Sequence, residues 1–133
     1  MDLNDLDVVK AADKGAEMTV RHPVTDDVLL DKDGNPVVMF VLGSDSTVLR
    51  AAMKDRARKQ LNARKTKQFD VDEAERLGSE MLAICITGWR GLSENGVEIP
   101  FSKEAAIDLF MRYNWLRSQV DAFINERENF FKA

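Results

Sequence analysis

The chain has 133 residues, 44% of them apolar and 32% charged, with a formal net charge of −4. That length suits one domain with one core, and the composition is that of a helix-rich globular protein rather than a disordered one. No apolar run reaches the roughly 18 residues of a membrane span. The single cysteine, Cys85, excludes an internal disulfide and a multi-cysteine metal site. The acidic opening MDLNDLDVVKAADKG has the marks of neither a signal peptide nor a transit peptide, so a cytosolic, reducing compartment is expected.

Charge is segregated along the chain. From Asp45 to Gln68 there are eight basic residues and two acidic ones, a net of +6; the residues before carry nine acids and four bases, and those after carry twelve and seven, −5 in each case. A basic segment between acidic ones can bind nucleic acid or dock on acidic surfaces of neighbouring copies.

Residues 1–15 scatter Leu3, Leu6, Val8 and Val9 without a period, which predicts a flexible or weakly held arm. Residues 16–43 read as a β-hairpin. Val28-Leu29-Leu30 and Val37 to Leu42 flank the turn Lys32-Asp33-Gly34-Asn35-Pro36, and β-branched runs around such a turn pair with each other. Met18 to Arg21 offers a further strand. A lone hairpin is marginal in water, so it must pack on helices or on another copy.

Residues 44–133 read as the helical part. Ser44-Asp45-Ser46 supplies an N-cap, and Val48, Leu49, Ala52, Met53, Ala57 and Leu61 then recur at helical spacing, with Arg50, Lys54, Arg58 and Lys65 largely off that stripe. This basic helix is predicted to reach about Lys65. Asp70 with Glu73 opens a second helix as an acidic capping box. Its end, MLAICITGW, is apolar nearly all round and reads as the central buried helix, stopped by Gly88 and Gly91. Asn95-Gly96 marks a tight turn in a connecting loop. Ser102 caps a third helix carrying Ala105, Ala106, Leu109, Phe110 and Tyr113, with a pause at Asn114. A final helix places Leu116, Val120, Phe123 and Phe130 on one face. The predicted fold is therefore mainly α, one domain of about four helices with a small N-terminal β-hairpin.

Catalytic signatures are missing. His22, the sole histidine, lies far in sequence from Cys85, and a nucleophile pair needs both together. Cys85 sits in the most apolar stretch, which favours an inert, buried thiol. Gly88-Trp89-Arg90-Gly91 lacks the preceding strand and the Lys-Ser end of a phosphate loop. Asp70, Asp72 and Glu73 are explained by helix capping rather than metal ligation. No catalytic residue, cofactor or metal is predicted, and the chain reads as a non-enzyme. The basic helix could neutralise phosphates. Lacking aromatic interleaving and helix-turn-helix spacing, it fits a solvated or inter-subunit face better, with Arg50, Lys54, Arg58 and Lys65 as candidate self-association residues.

Aromatics crowd the C-terminal half. Trp89, Phe101, Phe110, Tyr113, Trp115, Phe123, Phe130 and Phe131 lie within fifty residues, and most must be core. Trp115 and Leu116 are neighbours, as are Phe130 and Phe131. Adjacent helical positions diverge by about 100°, so one face cannot bury both members of each pair. Trp115, Leu116, Val120, Phe123, Phe130 and Phe131 are therefore candidates for contact with a partner, the alternative being coverage by the N-terminal arm.

At these residues the sequence resembles the tail assembly chaperones of long-tailed bacteriophages. One half of the likeness is Asp33-Gly34-Asn35-Pro36, the strand Val37 to Leu42, and the link Gly43-Ser44-Asp45-Ser46 into a basic helix. The other is Ile86-Thr87-Gly88-Trp89, Asn95-Gly96, Pro100-Phe101-Ser102, Gln119 to Phe123, and Asn129-Phe130. Together they span residues 16–131. The resemblance implies binding of the helical tape-measure protein before the tail tube forms around it. It also implies recruitment of tail tube protein, self-association into a homo-oligomer, location in the host bacterial cytoplasm or a prophage-bearing cell, and absence from the mature virion. Many such proteins are also made in a longer, frameshifted form, of which this chain would be the short counterpart. Two other readings stay open: a small DNA-binding or packaging regulator using the basic helix, and a structural tail-completion protein.

Overall fold

The computed structural model describes residues 1–63 and 70–131. After a 3-10 turn at Leu3–Leu6, the order is α1 (Val8–Lys14), β1 (Ala16–Thr19), β2 (Val38–Val41), α2 (Thr47–Ala63), α3 (Val71–Ile84), β3 (Ile86–Arg90), β4 (Ser93–Glu94), β5 (Val97–Glu98), α4 (Lys103–Arg112), α5 (Asn114–Ile124) and α6 (Glu128–Phe131). The fold is mostly helical α+β, as the sequence predicts, with more and shorter helices among the described residues than the four expected.

A three-stranded antiparallel sheet in the order β1-β2-β3 anchors the chain. Central β2 pairs Met39 with Met18 of β1 on one side and with Trp89 of β3 on the other. A strand flanked on both edges and covered on both faces should be apolar throughout, and Val38, Met39 and Val41 are all buried. The expected hairpin is altered here. Val28 to Leu30 makes only isolated bridges, Leu30 to Pro36 and Val28 to Arg21, and the ladder partner of β2 is the Met18 segment instead. Three backbone bonds tie the excursion together: Val20 N–H donates to Val37 O, Val37 N–H to Leu29 O, and Leu29 N–H to Val20 O. The turn at its tip forms as read, with Asp31 Oδ1 accepting from the N–H groups of Asp33 and Asn35, both at 2.9 Å.

The N-terminal arm is not featureless. Residues 8–14 form α1, capped by the Asp7 carboxylate on Lys10 N–H, and Ala12 is buried. The helix stops at Gly15, whose φ of +83 suits glycine. A Cβ there would also lie 2.8 Å from Val41 O.

The largest departure is at residues 84–90. The stretch read as a helix running to Trp89 leaves the helix at Ile84 and becomes β3. An all-round apolar run is compatible with a buried strand as well as a buried helix. The free edge of β2 supplies hydrogen-bond partners that decide the choice. Gly88 lies opposite Phe40, where a Cβ would already touch the ring at 3.4 Å. The orphaned carbonyls at the helix end are met by a side chain from elsewhere: Lys103 Nζ donates to Ala83 O at 3.1 Å, Ile84 O at 3.2 Å, and Ile86 O. An ammonium there also faces the negative end of the helix dipole.

Two helix start signals form as read, whereas the Ser46 hydroxyl does not cap α2. The Asp70 carboxylate accepts from Asp72 N–H and Ser102 Oγ from Ala105 N–H. The pause before Asn114 separates α4 from α5. The final helix does not continue to Phe130. It ends at Ile124, and α6 folds back so that Phe130 meets Phe123 edge to face at 5.8 Å. One core joins sheet and helices, with Phe110, Met39, Ile86, Val20, Val41, Val120 and Cys85 fully buried.

Candidate interaction surfaces

The residues expected to face a partner at the C-terminus split by helix geometry. Leu116 and Val120 are four apart and, with Ile124, form the stripe that seats α5 on the core. Phe130 is buried too. These three are corrected from candidate contact residues to core residues. Trp115, turned away by one helical step, is half-buried and lies edge to face on Tyr113 at 6.4 Å. Phe123 is half-buried and Phe131 exposed. A small notch of about 310 Å³ opens beside Trp115, between Leu30 and Val37 on one side and Leu92 and Ile99 on the other.

The connecting loop is ordered around that notch. Asn95 and Gly96 have φ of +52 and +78, and two successive positive φ values define the turn that joins β4 to β5. Trp89 Nε1 donates to Ile99 O at 2.7 Å, and its ring meets Phe101 edge to face at 4.9 Å. The Arg112 guanidinium forks onto Glu94 at 2.6 and 2.9 Å and reaches Asp108 at 2.7 Å, while the Tyr113 hydroxyl also donates to Glu94. This network pins the β-turn to α4.

Helix α2 carries its apolar stripe mostly in the open. Only Leu49 of it is buried; Val48, Met53 and Leu61 are exposed, Leu61 to 79%. Among the described residues, the apolar face of α2 beyond Leu49 is left largely uncovered. Arg50, Lys54 and Arg58 are likewise exposed, and Lys65 lies outside the described residues. Between α2, α3 and α5 runs an open groove of about 880 Å³. Leu49 and Met53 form one wall, Val71, Ala74, Gly78 and Met81 the opposite one, and Ile124 the floor, with Glu75, Arg117 and Asp121 at the rim. Gly78 was not singled out in the sequence. A glycine in mid-helix is a detectable signal, but only the groove gives it a place.

No Cys–His pair is assembled. Cys85 is closed in the core, where burial pushes its thiol up to about 11. His22 is on the surface, its Nδ1 accepting from the N–H groups of Val24 and Thr25. Burial also pushes the Lys103 ammonium down. Among the described residues no group of three or more His, Cys, Asp or Glu is placed to hold a metal, and no helix is long and apolar enough to cross a membrane.

Fold and surface together define a small, mostly helical α+β protein with an open apolar groove whose rim carries charges of both signs. The family model described as YdaY prophage protein matches residues 44–133, more than half of the chain. The chain belongs to that prophage protein family. No curated protein and no solved structure matches it. The matched span opens at the link between β2 and α2 and holds every element lining the groove. It takes in β3 but not β2, the strand on which β3 is paired.

Proposed function

We propose that the protein is a phage tail assembly chaperone, a non-enzymatic protein that binds the tape-measure protein and keeps it soluble during tail morphogenesis. Prophage membership and the stretches resembling tail assembly chaperones support this reading, and the observation that carries it is the groove between α2, α3 and α5. Its volume of about 880 Å³ and its apolar walls suit the apolar face of an amphipathic helix laid in a trough. Met53 and Met81 give the walls unbranched side chains that adapt to varied sequence. A long helical client aggregates through its stripe unless that stripe is covered, and many weakly held copies along one chain raise the overall affinity. In this reading the partners are the tape-measure protein, the tail tube protein and further copies of the chain. The site of action is the host bacterial cytoplasm, and the protein is left out of the finished virion.

Co-expression with the tape-measure protein of the same prophage tests this. The expected result is a soluble complex that co-purifies, weakened by Val71→Asp in the groove wall. A tape-measure protein that stays insoluble, or that fails to co-purify, overturns the reading. The exposed Arg50, Lys54 and Arg58 on α2 support a second reading, a DNA-binding or packaging regulator. A salt-sensitive gel shift with duplex DNA would favour it, since phosphate contacts weaken steeply with salt.

A further inference from the structure

We propose that in the free protein the groove is filled by α2 of a second copy, with the guest helix crossing close over Gly78. This names a resting occupant for the groove assigned above to a client, and it stands on separate observations.

The first observation is Gly78. Glycine inside a helix costs about 0.5–1 kcal/mol relative to alanine, a cost offset where another backbone must come close. Among the described residues none does, since a Cβ at Gly78 would meet no heavy atom within 4 Å. The position lies in the middle of α3 and in the groove wall. The position is open to a helix from a second copy, and a Cβ-free site lets that helix seat closely.

The second observation is α2, which bears an uncovered apolar stripe of its own. Met53 and Leu61 are exposed, eight residues and therefore about two turns apart. The third is charge. Over its described length α2 carries Arg50, Lys54, Arg56, Arg58 and Lys59 against Asp55, whereas α3 carries Asp72, Glu73, Glu75 and Glu80 against Arg76. A guest α2 laid along α3 brings its cations over a rim where Glu75 and Asp121 outnumber Arg117. Because α2 is both a wall and a guest, the exchange is reciprocal and closes as a two-fold dimer rather than an open filament. A client helix would then have to displace α2 of the partner subunit, which keeps the apolar surface covered until a client arrives.

The test is the molar mass of the intact protein by sedimentation or light scattering, across concentration and salt, for the wild type, Gly78→Ala, Gly78→Leu and Met53→Asp. The wild type should be a dimer that weakens as salt rises. Gly78→Leu should weaken dimerisation by about tenfold or more while keeping the helical spectrum and thermal midpoint of the subunit, because the space around Gly78 is open in the single chain. Met53→Asp should weaken it through the groove wall and the guest stripe together, on a residue already exposed. Gly78→Ala controls for helix propensity: its subunit should be at least as stable as the wild type. A wild-type monomer at every concentration overturns the proposal. So does a dimer that Gly78→Leu and Met53→Asp leave intact, since its interface then lies elsewhere. A monomer that still captures the tape-measure protein removes only this inference, and a dimer that captures nothing removes only the proposed function.

Discussion

The carboxylate of Asp13 caps a helix to which it does not belong. Its two oxygens accept from the backbone N–H and the hydroxyl of Thr47, both at 2.7 Å, and so satisfy donors at the first turn of α2. Ser46, the residue placed to cap that helix itself, is buried with its hydroxyl beside the Cys85 thiol and makes no cap bond. Asp13→Ala should therefore fray the start of α2 and lower the thermal midpoint, with Asp13→Asn milder. Amide exchange at Thr47 reads this directly, and unchanged protection in Asp13→Ala would show that the cap is unimportant.

Gly43 is the point where both ends of the chain meet. A Cβ there would lie 2.8 Å from Ala12 Cβ and 3.2 Å from the Phe130 ring, and Gly43 N–H donates to Ala12 O at 3.1 Å. Gly43→Val should force α1 and α6 off their seat and cost about 1–3 kcal/mol, the usual range for overpacking. The denaturant midpoint measures it; a shift of zero would mean that the ends do not pack there.

Acid should loosen the β4–β5 turn. The bonds from Arg112 first, and then from Tyr113, hold the Glu94 carboxyl down at about 2 from an ordinary 4.5. A carboxyl depressed in the folded state contributes stability that is complete above 4.5 and is lost as the pH falls from there toward 2. Across that window the wild-type stability should drop more than that of Glu94→Gln, which does not titrate. The variant keeps part of the slope, because Asp13 bonded to Thr47 and Asp45 bonded to Arg127 are shifted the same way. Parallel stability curves for the two proteins would refute the assignment.

Cys85 should resist alkylation in the native protein. It is fully buried and its thiol is pushed up to about 11 by desolvation, so at neutral pH it has neither access nor thiolate character. Labelling with iodoacetamide should follow global unfolding as denaturant is raised. Rapid labelling without denaturant would mean that the β3 end of α3 opens locally.

The caps at Asp70 and Ser102, the turns and the overall class are legible in the sequence because they depend on neighbours within a few positions; the cap on α2 is not, because Asp13 supplies it from 34 residues away. Asp70, Ser102, the pause before Asn114 and the Asn95-Gly96 turn all act over one helical turn or less, and each lies where its chemistry predicts. The segment Ile86 to Trp89 is different. Its apolar run suits helix and strand alike, and it becomes a strand because β2, some forty residues earlier, offers an unpaired edge. The same holds for the surfaces. Periodicity shows that α2 has an apolar stripe and that α5 has another, but not which of them finds a core. Leu116 and Val120 are buried because α5 lies on α4 and α3, while Met53 and Leu61 stay open because the other described elements leave them uncovered. Hydrophobic spacing determines that a face needs cover, and only the placement of distant elements determines whether the chain itself supplies it.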